Sequence, residues 1–176
     1  FQSSRLPHTV CLPFLFTAPP PPALPSLSLH RARPSLKYSD IHCADTPAEM
    51  ASGADEIDRW HRKKGWNGIG YHYVIRRDGS LEHGRKVTQP GAHVYGHNRE
   101  SLGICLVGGR SDEGLAAENN FTPEQFDCLK ALLEATAITY PAAQVVGHRD
   151  LDKRKACPSF DVKAWVQENL QDPLCV

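Results

Sequence analysis

His42, His148 and Cys157 are residues of this 176-residue chain whose types suit a catalytic metal. His148 and Cys157 share the stretch GHRDLDKRKACPSF, residues 147–160. That stretch is too polar for a core strand and too rich in His and Cys for a plain linker. His42 ends the run KYSDIH. A catalytic zinc takes three protein ligands and leaves a fourth position to water, and two His with one Cys make such a set. The three lie far apart and no C-x-x-C pair is present, so spacing alone is a weak signal. Side chains alternate along a strand, so if His42 faces the site, Cys43 faces away. Lys153, Arg154 and Lys155 are by default a solvated charge run, but cations just before Cys157 would lower its thiol pKa and ready it for ligation.

The other histidines carry blander readings. His61 sits beside Lys63 and Lys64 on a helical stretch and reads as half-exposed, and His83 reads as a solvated strand end. His93 and His97 fall in the Gly-rich loop GAHVYGHN, which suits groups that face solvent or rim a cleft. His72 reads as a packed residue. A zinc nucleoside deaminase needs H-x-E with P-C-x-x-C, and neither is present.

Elements of an αβ pattern must position these groups. LKYSDIHCA is a short strand, weakened by Ser39 and Asp40. SGADEIDRWHRKKGW is a helix that Ser52 can cap, with Asp55 three residues later; Ile57, Trp60, His61 and Lys64 share one face, and Gly65 suits the position after its end. In YHYVIRRDGSLEHGR, Tyr71, Tyr73 and Ile75 alternate with His72, Val74 and Arg76, and Asp78-Gly79 turns the strand back as a hairpin. SLGICLVGG is nearly all apolar, the mark of a strand covered on both faces. FTPEQFDCLKALLEATAITY opens with Thr122 as cap, Pro123 and Gln125, and then repeats apolar residues at helical spacing. QVVGH is a strand, and SFDVKAWVQENL is a closing helix that buries Val162, Trp165 and Val166. The pattern predicts a single α/β domain: a central, mostly mixed β-sheet flanked by helices.

Residues 1–36 differ. TAPPPPALPSLSLHRARPS has no period and reads as a disordered or non-native tail, which leaves the domain at 37–176. The short apolar run before it, TVCLPFLFTA, reads as a signal-peptide remnant without a clear cleavage site. Composition is ordinary for a soluble globular protein, with 40% hydrophobic and 23% charged residues. The formal net charge is zero, so bulk electrostatics give no argument for a nucleic-acid partner. No apolar run is long enough to cross a bilayer. The six irregularly spaced cysteines read as reduced thiols, with Cys43, Cys105 and Cys128 packed as small hydrophobes.

Seven ordered motifs, IHCADT, WHRKKGWNGIGYHYVIRRDG, GAHVYGHN, SLGICLVGG, FTPEQ, GHRDL and KACPSFD, cover the chain from about Lys37 to Leu170. Together they resemble the zinc-dependent N-acetylmuramoyl-L-alanine amidases of type 2, among them small phage lysozymes and relatives of the peptidoglycan recognition proteins. The resemblance implies Zn2+ held by His42, His148 and Cys157, with Tyr71 and Lys155 as catalytic residues. It implies hydrolysis of the amide between N-acetylmuramic acid and L-alanine in peptidoglycan. His93 and Asn98 are further candidates for glycopeptide contact. A non-catalytic peptidoglycan-binding module is the rival reading, which the presence of Tyr71 and Cys157 disfavours. The resemblance also leaves open binding and restraint of RNA polymerase, on a surface the sequence does not mark. A monomer is expected, cytoplasmic before lysis if it serves a phage, or secreted if the N-terminal run is a genuine signal.

Overall fold

Five strands, β1 (Tyr38–Cys43), β2 (Tyr73–Ile75), β3 (Leu81–His83), β4 (Ser101–Leu106) and β5 (Gln144–Gly147), form one sheet in the order β3-β2-β4-β1-β5. The computed structural model describes residue 33 and residues 35–170. Most of the N-terminal tail, its apolar run, Cys11 and Cys175 lie outside the described residues. β1 runs parallel to both β4 and β5, and β2 runs parallel to β4; only the β2–β3 hairpin is antiparallel. The sheet is therefore mixed, and the helices α1 (Ala54–Lys63), α2 (Pro123–Thr139), α3 (His148–Leu151) and α4 (Val162–Asn169) complete the domain.

Alternation sorts the strand residues onto two apolar layers. Ile41, Tyr73, Ile75 and Leu102 pack with Leu129 and Leu132 of α2 on one side. Val74, Cys105 and Val107 pack with Ile57 of α1 on the other. β4 is buried along its whole length, as its continuous apolar run requires. At the start of α2, the Thr122 hydroxyl accepts the Gln125 N–H at 3.2 Å, and Gln125 Oε1 accepts the Thr122 N–H at 3.1 Å. Gln125 Nε2 then donates to the carbonyls of Ile75 and Val107, so the same residue that closes the cap ties the helix to the sheet.

Three local expectations change. Gly53, not Ser52, caps α1: Glu56 accepts the Gly53 N–H at 2.8 Å, and Glu82 of β3 accepts the Ala54 N–H at 2.6 Å. Ser39 and Asp40 do not weaken β1, which is hydrogen-bonded on both sides and buried from Ser39 to Cys43. The folded body also begins before residue 37. Arg33 donates to the carbonyls of Val87, Asn98 and Ser101 at 3.1, 3.0 and 2.7 Å, and Leu36 is part of the core. No helix among the described residues is long and apolar enough to cross a membrane.

Candidate metal centre

The carboxyl ends of the parallel strands β1 and β5 lie side by side, and ligands in open α/β sheets bind at such ends. β1 delivers His42 near its end, and β5 runs directly into α3, whose first residue is His148. Cys157 follows on the loop to α4, which is held back against α3 by the Arg149 N–H donating to the Cys157 carbonyl at 2.9 Å. Ligand atoms of His42, His148 and Cys157 all lie within 4.8 Å of one another. His42 Nδ1 is 3.8 Å from Cys157 Sγ. Zn–N and Zn–S bonds of about 2.0–2.1 and 2.3 Å at tetrahedral angles put such atoms about 3.6 Å apart. The donor set and its spacing thus fit a divalent metal such as zinc.

His42 is 1% exposed and its other nitrogen is engaged: Nε2 lies 2.7 Å from Asp40 Oδ2 and 3.0 Å from His93 Nδ1. This leaves Nδ1 to face His148 and Cys157. Burial opposes a charged Asp40, but its contacts with the imidazoles of His42 and then His93 outweigh it and hold the carboxyl well below its usual range. Burial, and then the neighbouring His42, depress His148 to about 4, so it is a neutral imidazole at neutral pH, as a ligand must be.

A cavity of about 460 Å³ opens over His148 and Cys157, with Tyr71, His61, Lys155 and Cys43 also on its wall; the buried His42 is not among its lining residues. Tyr71 stands just before β2, with its ring centroid 5.1 Å from that of His42. Burial, and then the nearby thiols and Asp40, push its phenol well above 10, so the hydroxyl keeps its proton. Lys155 is exposed at the cavity edge.

Several predicted placements shift. His61 is buried rather than half-exposed: its Nδ1 accepts the Gly70 N–H at 3.0 Å, its ring packs on Trp66 and Tyr71, and it lines the cavity. Burial lowers it to about 4. Cys43 does not face cleanly away, because at the strand end its thiol reaches the cavity wall near Ser159. The cations before Cys157 do not lower its thiol. Arg154 turns to Asp152 at 2.8 Å, while the hydrogen bond with Cys43 and burial raise Cys157 well above its ordinary value. His93 and Asn98 are not on the cavity wall. His93 is buried behind His42, and Asn98 Oδ1 accepts the N–H groups of His93 and Val94, which shapes the loop. His72 is buried, accepts the Gly103 N–H and reaches the Gln89 carbonyl, as a packed residue does.

Residues 32–160 match the family model described as N-acetylmuramoyl-L-alanine amidase. The chain belongs to the N-acetylmuramoyl-L-alanine amidase family. Similar proteins are found at the level of sequence and of structure. The chain is 46% identical over 127 residues to an endolysin of Enterobacteria phage K11, covering 72% of this chain and 83% of that one. It is 42% identical over 139 residues to the endolysin of Escherichia phage T7, covering 79% and 91%. Among solved structures, the amidase LysC from Clostridium intestinale is similar with a TM-score of 0.64 at 28% identity, covering 76% of this chain and 86% of that one.

Asp40 is the site residue that sequence reasoning missed. The signal was the pair D-x-H in SDIH: residues two apart on a strand face the same way, so a carboxylate had to lie beside the His42 ring.

Proposed function

We propose that this chain hydrolyses the amide between the lactyl group of N-acetylmuramic acid and the first L-alanine of the peptidoglycan stem peptide, with Zn2+ held by His42, His148 and Cys157. The convergence of those three side chains, two of them on the wall of a cavity that Lys155 and Tyr71 also line, carries the reading. When bound, zinc supplies Lewis acidity and lowers the pKa of a water from 15.7 toward about 7. The chain's own groups do the rest. The Lys155 ammonium donates to the oxyanion that develops on the scissile carbonyl; losing one such donor costs about two to three orders of magnitude in rate. Tyr71, protonated and against the His42 ring, orients the attacking water by hydrogen bonding and does not act as the base. The family relatives from phages support release of the protein at lysis of the host cell.

Metal content and release of stem peptide from purified cell wall, measured on the same samples of parent and Cys157→Ser, test the proposal. The variant should lose both the zinc and the release. Undiminished release with the metal retained would overturn the ligand assignment, and a parent that binds muropeptide without cutting it would turn the reading to a binding module.

A further inference from the structure

A carboxylate buried in the middle of a sheet is expensive unless its hydrogen bonds and charge are answered. Asp40 is 0% exposed on the interior strand β1, where an apolar residue would be the ordinary choice. Its Oδ2 meets His42 Nε2 at 2.7 Å and His93 Nδ1 at 3.2 Å, while its Oδ1 has no hydrogen-bond partner among the described residues. The local fold is arranged to bring the second imidazole in. Gly103 on β4 leaves room for it: a Cβ there would stand 2.5 Å from the His93 ring. Asn98 fixes the loop by accepting the His93 N–H at 2.8 Å.

These contacts have a definite tautomeric consequence. If both imidazoles are neutral, His42 gives its Nε2–H to Asp40 and His93 gives its Nδ1–H to the same oxygen. His42 Nδ1 is then a bare lone pair, and it is the nitrogen 3.8 Å from Cys157 Sγ. We infer that Asp40, braced by His93, is a positioning residue that locks the tautomer and ring orientation of His42 for metal binding. This rests on the zinc reading above. Asp40, His42 and His93 are also close enough to suggest a second metal. The Asp40–His42 separation argues against it: two ligands of one metal at bonds of about 2.0–2.2 Å stand about 3.3 Å apart, whereas these atoms are 2.7 Å apart, a hydrogen bond.

The test compares the parent, Asp40→Asn, Asp40→Ala and, as a control for simple loss of stability, Leu132→Ala in α2. Zinc stoichiometry and affinity are measured by chelator competition, the visible spectrum is recorded with Co2+ in place of zinc, and unfolding is followed in the metal-free state. The expected result is one zinc per parent chain, and 10- to 100-fold weaker binding in Asp40→Ala, with a changed cobalt spectrum. Asp40→Asn, which keeps an acceptor oxygen but no charge, should fall between. Leu132→Ala should unfold more easily yet bind zinc as the parent does. Zinc affinity within threefold of the parent in both Asp40 variants would overturn the inference, as would two metals per parent chain with one lost in the variants. Should Asp40→Ala not fold, Asp40→Asn decides by the same criteria. A parent that binds no zinc at all would sink the zinc reading itself, a distinct outcome.

Discussion

Lys155 and Cys157 sit two residues apart on one loop, yet their surroundings differ. Cys157 is half-buried beside His42, whereas Lys155 is exposed at the cavity edge, where its backbone N–H donates to the Asp152 carbonyl. Lys155→Ala should therefore keep the fold and the zinc while turnover on cell wall falls about 100- to 1,000-fold. Loss of metal in that variant would show that Lys155 is structural. At this scale the sequence was readable wherever a residue type is rare in its setting, as with a His at a strand end or a Cys after a polar loop. It was not readable where neighbours mislead. Lys63 and Lys64 suggested a half-exposed His61, but the Gly70 N–H and the Trp66 ring draw it inward. Asp40 was weighed for its poor strand propensity, when its partner two residues on outweighs propensity.

Helix α2 shows what an element can report about itself. Its capping box is a local exchange of hydrogen bonds between Thr122 and Gln125, so the residues alone revealed it. The Thr122 hydroxyl also donates to the Arg77 carbonyl at 2.7 Å, which fastens the cap to the turn after β2. Thr122→Ala should destabilise the protein by about 1 kcal/mol, at most about 2, with zinc affinity unchanged, as read from urea midpoints and chelator competition. An unchanged midpoint would mean that the cap and the Arg77 contact contribute nothing net. The α1 start was misplaced by one residue for the opposite reason. The acceptor for its Ala54 N–H is Glu82, 28 positions later on β3, and no local pattern announces a partner from another strand.

The order of the elements was enough to predict a mixed sheet with helices on its faces, but not that β1 would lie between β4 and β5, since pairings across 63 and 106 residues leave no periodic mark. That placement has a thermodynamic consequence for the whole molecule. A metal held by His42, His148 and Cys157 joins strand β1 to the segment between β5 and α4, residues that only the folded chain brings together. Binding to the native state alone stabilises it by about 2.7 kcal/mol when free metal is 100 times its dissociation constant. For a domain of this size that corresponds to roughly 5–10 °C in unfolding temperature. Removing the metal with a chelator should lower the midpoint by about that amount, and restoring zinc should recover it. Cys157→Ser should unfold at one temperature in either condition. If the parent's midpoint ignores both chelator and zinc, the three side chains do not share an ion, and the stapling of β1 to the C-terminal segment falls with it.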